Sequence, residues 1–125
     1  MNATETTKAL FLTKALQETG NLITNLGGFY ETITSLAGLG DLLLTCNSTK
    51  SRNYSLGVLL TTTTENEYTK INDYLQSNTV EGYYTLISIY SLIQKKRLSS
   101  PLIELLYHIL FNQTQKKELF TILTK

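Results

Sequence analysis

Apolar residues return at three-, four- and seven-residue intervals along nearly the whole chain. Leu12, Leu16 and Ile23 do so early, Leu56, Leu59 and Leu60 in the middle, and Leu102, Leu105, Leu106 and Ile109 late. That spacing lines apolar side chains along one face of a helix, and it excludes most sheet folds. Strand-like alternation is scarce. The one proline, Pro101, interrupts nothing before it. The expectation is an all-α helical bundle, with residues 1–125 forming one helical domain.

Local signals divide the bundle. Thr6 or Thr7 can cap a first helix that runs to Asn25 and stops at Gly27-Gly28. A short helix is expected over Tyr30 to Leu36. The Gly-Leu-Gly turn at 38–40 then opens another over Asp41 to Cys46. Ser51 or Asn53 begins the next. The four-threonine run Thr61–Thr64 disfavours helix and offers hydroxyls to cap a helix over Glu65 to Leu75. Val80 to Arg97 is apolar on two sides, which suits the centre of a bundle. Its basic end, Lys95-Lys96-Arg97, suits the negative pole of the helix dipole. Ser100-Pro101 reads as a cap followed by proline at the first helical position. Asn112 can cap a last helix containing Leu119, Phe120 and Leu123.

Charge and composition exclude several roles. A formal net charge of +1 leaves no basic footprint for nucleic acid. Apolar runs such as Leu42-Leu43-Leu44 are far shorter than the ~20 residues that span a bilayer. Met-Asn-Ala-Thr-Glu has neither the basic start nor the apolar core of an export signal, so a cytoplasmic location is expected. A lone cysteine, Cys46, allows no internal disulfide and no structural zinc site.

Few residues carry the marks of chemistry. His108, the sole histidine, has no metal partner one turn away and reads as a structural or half-exposed histidine. Cys46 reads as a buried, inert thiol, since no base lies near it. Tyr83-Tyr84 reads as core packing. Gly38-Leu39-Gly40 fails as a dinucleotide fingerprint, because Leu43 stands where the third glycine belongs and no strand precedes it. The stretch after it is richer. Asp41 at a helix start and Thr45 four residues on share a helical face and can orient an amine or hydroxyl. Ser51, Arg52 and Asn53 set a hydroxyl, a guanidinium and an amide at a helix N-terminus, a combination suited to phosphate. The plainer alternative makes Asp41 and Ser51 helix caps and Arg52 a surface residue.

The segment AGLGDLLLTCNSTKSRN, Ala37 to Asn53, resembles a signature of the NAD(P)-dependent glycerol-3-phosphate dehydrogenases, in their C-terminal substrate domain. TKALFLTKAL, VEGYYT and SPLIELLYHILF resemble further family segments in the same order. The resemblance implies a helical domain that meets a Rossmann domain across the active-site cleft. It implies interconversion of dihydroxyacetone phosphate and glycerol 3-phosphate with NAD or NADP, and no metal. By position, Asp41 and Thr45 would orient the catalytic lysine. Asp41, Ser51, Arg52 and Asn53 would bind substrate, and Arg52, Thr79 and Glu81 would approach the cofactor. Lys8 matches a lysine at the start of a family helix, not the catalytic one. The cofactor domain and the lysine segment are expected to lie outside this chain. The chain alone is therefore expected to be inactive, to need a Rossmann-domain partner chain, and to self-associate. The competing expectation is a helical interaction module or a decayed remnant that binds only another polypeptide.

Overall fold

A computed structural model describes residues 4–62, 68–111 and 118–123, and every regular element among them is helical. The order is α1 (Glu5–Asn25), α2 (Glu31–Thr34), a π-helical turn (Leu36–Gly40), α3 (Asp41–Cys46), α4 (Arg52–Thr62), α5 (Tyr68–Ser77), α6 (Glu81–Lys96), α7 (Pro101–Phe111) and α8 (Glu118–Leu123). The all-α expectation holds. Thr63 and Thr64, the expected helix start at Glu65 and the Asn112 cap lie outside the described residues.

Several boundaries move, each for a local reason. Thr4, not Thr6 or Thr7, caps α1, its hydroxyl accepting the Thr7 N–H at 3.1 Å. The end of α1 is as expected, with Gly27 at a φ of +91°. The helix expected from Tyr30 breaks at Ser35, whose extended backbone lets its hydroxyl accept the Gly38 N–H at 3.2 Å and start a new helix. Gly38-Leu39-Gly40 is therefore not a turn. It is wound into the π-helical segment that runs directly into α3. Gly38 is needed there because a Cβ would stand 2.5 Å from the Thr32 carbonyl oxygen and 2.8 Å from that of Ile33. Thr61 and Thr62 stay helical, their hydroxyls donating back to the Val58 oxygen at 2.8 and 3.1 Å. Arg97 closes α6 in the left-handed region, with a φ of 53°.

Ser100 precedes Pro101 as expected but does not cap α7 with its own hydroxyl. The carboxylate of Glu18, reaching from α1, accepts the N–H groups of Leu102 and Ile103, each at 3.0 Å. Ser100 is fully buried and donates its hydroxyl to the same carboxylate at 2.5 Å. A negative group thus neutralises the positive pole of α7 from another element and fastens α1 to it.

The core is thin. Leu56, Ile71 and Val80 form one buried cluster joining α4, α5 and the start of α6, with Leu60, Tyr74 and Tyr83 packed around it. Leu86 and Ile93 of α6 and Ile109 of α7 are also buried, and the two helices pack against each other. The α6 helix is not enclosed on both sides, since Tyr84 and Ile87 are exposed. The chain presents 8569 Å² to solvent, against about 6,700 Å² for a compact monomer of its mass. No helix among the described residues is long and apolar enough to cross a membrane.

Candidate functional site

Two helix N-termini meet above the Leu56–Ile71–Val80 cluster. Ser51 ends the connection from α3 and lets α4 begin, its oxygen accepting the Tyr54 N–H at 3.4 Å. Arg52 is the first residue of α4, and its Nη1 donates to the Thr79 carbonyl at 3.2 Å, just before α6. Asn53 Oδ1 accepts the Gly82 N–H at 3.2 Å, capping α6 from a neighbouring helix. Gly82 has no side chain where one would collide, since a Cβ there would lie 2.7 Å from Asn53 Oδ1. On the far side, the Tyr74 hydroxyl donates to the Arg52 carbonyl at 3.4 Å.

Arg52, Asn53, Thr79 and Glu81 together line a cavity of about 260 Å³. The amide of Asn53 has a defined sense: Oδ1 is held by the Gly82 N–H, which leaves the Nδ2 donors for a ligand. Arg52 spends one of its five N–H donors on Thr79. The Arg52 guanidinium and the Asn53 amide donors, helped by the helix dipoles, can attract an anion such as phosphate on their side of the rim, while the Glu81 carboxylate opposes one on its own side. The Glu81 carboxylate adds an acceptor for hydroxyl groups.

The other half of the signature stands apart from that cavity. Asp41 and Thr45 are exposed on α3. Asp41 is not at a free helix start, because the helix already begins at Ser35 and winds through Leu36–Gly40. The Thr45 hydroxyl donates to the Asp41 carbonyl at 2.9 Å, so it does not pair with the Asp41 carboxylate. What remains at both side chains is acceptor oxygen, suited to a cation rather than a phosphate. Ser51 is half-buried and serves as a cap rather than lining the cavity.

The remaining candidates sort themselves by environment. Cys46 is exposed, not buried as expected, and lies on a groove of about 550 Å³ beside Phe11, Leu12 and Tyr54. Partial burial against that groove pushes its thiol pKa up, away from the reactive thiolate. His108 sits half-buried, edge-on to Tyr90 and Tyr107 at 5.6 and 5.8 Å between ring centroids. Tyr83 packs in the core, where burial raises its pKa, whereas Tyr84 is exposed. Lys8 pairs with Glu5 at 2.9 Å, and that hydrogen bond and charge hold its proton more firmly than usual. Among the described residues no three His, Cys, Asp or Glu side chains gather as a metal site would require. Sequence reading missed Tyr74 and the Glu18 cap, because both act on segments far away in the chain.

Comparison with known proteins identifies the family of the chain. Residues 1–121 match the family described as NAD-dependent glycerol-3-phosphate dehydrogenase C-terminus. The glycerol-3-phosphate dehydrogenase [NAD(P)+] of Dehalococcoides mccartyi is 36% identical over 98% of this chain and 33% of its own length. Its namesakes from Staphylococcus carnosus and Francisella philomiragia are 35% and 37% identical, each over 89% of this chain and 32% of their own length. The chain thus spans about one third of these relatives, aligned with their C-terminal part. No solved structure matches it.

Proposed function

The chain belongs to the NAD-dependent glycerol-3-phosphate dehydrogenase family, and from that premise we propose that it is the substrate-recognition domain of such an enzyme. The observation that carries the reading is the cavity lined by Arg52, Asn53, Thr79 and Glu81. Arg52 and Asn53 hold the phosphate of glycerol 3-phosphate or dihydroxyacetone phosphate, and the N-termini of α4 and α6 add to the attraction. Ser51 supports them by starting α4. Glu81 and Thr79 offer acceptors to the hydroxyls of a nucleotide approaching over the same rim, with Arg52 close to its phosphates. The nicotinamide cofactor, NAD or NADP, supplies or accepts the hydride when bound. Asp41 and Thr45, as acceptor-only groups, receive the ammonium of a catalytic lysine carried by a Rossmann-domain partner and fix its direction. The setting is the cytoplasm.

These 125 residues alone turn over no substrate in this reading, because hydride transfer needs a positioned cofactor and an acid–base group. Their wide exposed surface favours self-association or docking onto the cofactor domain. The direct experiment replaces the C-terminal third of the Staphylococcus carnosus relative with residues 1–121 of this chain. The chimera is assayed for oxidation of NADH and NADPH with dihydroxyacetone phosphate. Turnover that disappears in Arg52→Ala is expected, while the isolated chain gives none. A folded chimera with no activity overturns the reading.

A further inference from the structure

The phosphate cavity does not end at its polar rim. Asn53 and Glu81 also line a second cavity of about 400 Å³, whose other walls are Gly82, Thr85, Leu86 and Ile89 of α6 and Ile103 and Leu106 of α7. The α6 residues fall at i, i+3, i+4 and i+7, so they form one stripe along the helix. At 1.5 Å per residue that stripe runs for about 10 Å away from the Gly82 N–H. Leu86 at the floor is buried, Ile89 and Ile103 are half-buried, and Leu106 is exposed. The result is an open apolar channel between α6 and α7 whose mouth is the candidate anion site.

A ligand that fills both compartments needs a phosphate at one end and a slender apolar chain of about 10 Å at the other. We infer that this site also takes glycerol phosphate esterified with a medium-length acyl chain, the chain lying along Thr85, Ile89 and Leu106. The inference rests on the phosphate reading proposed above and adds a ligand class to it. Chemically, such an ester is made by acylating the enzyme family's own product. It would therefore compete with substrate as a downstream effector. A rigid protein side chain from a neighbouring domain could fill the channel but would bring no phosphate into the adjoining rim.

The test uses the 125-residue chain with glycerol 3-phosphate, its 1-octanoyl ester below its micelle concentration, and octanoate, followed by amide NMR shifts. The octanoyl ester should bind at least tenfold more tightly than glycerol 3-phosphate, since each methylene buried contributes and about half the chain faces protein. Shifts should extend from Asn53 and Gly82 to Ile89 and Leu106, and octanoate alone should give none. The gain should fall below twofold in Ile89→Gln and in Leu106→Gln and persist in Leu44→Gln, a control on α3. An ester no tighter than glycerol 3-phosphate overturns the inference, as does a gain that survives both channel variants. If glycerol 3-phosphate itself shifts nothing at Arg52 and Asn53, the phosphate reading has failed first. If glycerol 3-phosphate does shift those amides and the acyl chain adds nothing, only the channel has failed.

Discussion

The α4–α5–α6 corner and the arm formed by α2, the π-helical turn and α3 divide one sequence signature between opposite physical settings. In the corner, Arg52 and Asn53 stand above buried Leu56, Ile71 and Val80, each tied by a hydrogen bond to the start of α6. In the arm only Ile33 is buried, while Leu36 is 91% exposed and Leu44 is 73% exposed. The bonds holding Asp41 and Thr45 are local, such as Thr45 to the Asp41 carbonyl. The corner rests on a buried cluster of its own. The arm exposes apolar side chains, and its candidate groups are placed by sequence without being pinned by packing.

Substitutions test that contrast most strongly in the core. Leu56→Ala should cost about 3 kcal/mol, through lost burial and the cavity left behind. Leu44→Ala, at a site already in water, should stay within about 0.5 kcal/mol. Urea denaturation of the two variants compares them directly, and equal losses would erase the distinction between the regions.

Gly38→Ala probes the arm from within. Its Cβ would press on the Thr32 and Ile33 carbonyls, which are backbone and cannot rotate away. The expected cost is about 2 kcal/mol, the scale of overpacking, felt between α2 and the π-helical turn. Hydrogen exchange should quicken from Glu31 to Cys46 and remain unchanged at Leu56, Ile71 and Leu86. Faster exchange in the corner would show the two regions to be one cooperative unit.

Gly82→Ala sharpens the other side of the comparison. The new methyl meets Asn53 Oδ1, the movable end of a side chain. Stability should therefore change by less than about 0.5 kcal/mol, since the better helix propensity of alanine offsets the lost cap. Phosphate binding should nonetheless weaken, because Asn53 no longer has its amide sense fixed. Parallel melting and phosphate titration separate the two effects.

The smallest effect is expected at Cys46. Burial against the groove raises its thiol pKa, so at pH 8 less thiolate is present than in an unfolded chain. Alkylation by iodoacetamide should be severalfold slower than in urea, despite the exposure of the residue. Equal rates would mean that the groove beside α1 does not form.

Periodicity revealed most of the fold, because helices report their apolar faces through near neighbours. Val80 to Arg97, Pro101 and the Asp41–Cys46 helix all follow from such local signals. Ser35 was less legible: an extended residue inside a helical pattern leaves periodicity intact while it resets the cap. Glu18 was illegible for a different reason, since a carboxylate that caps Leu102 and Ile103 does so across the fold. Residue type and position at a helix start single out Arg52 and Asn53 as candidates for a phosphate site. Their anchoring to Thr79 and Gly82 was not legible, as no spacing along the chain encodes which two helix starts will meet.

The central claim is that the corner holds a phosphate without help from the arm. Titration of the 125-residue chain with glycerol 3-phosphate, read at the amides of Arg52, Asn53 and Gly82, tests it most directly. One charged fork and two helix ends should give a dissociation constant of roughly a millimolar, equivalent to about 4 kcal/mol. The account predicts that Arg52→Ala abolishes the shifts and that Asp41→Ala leaves them within twofold, with affinity falling as salt is added. Equal losses in the two variants, or amides that do not move at all, would contradict it.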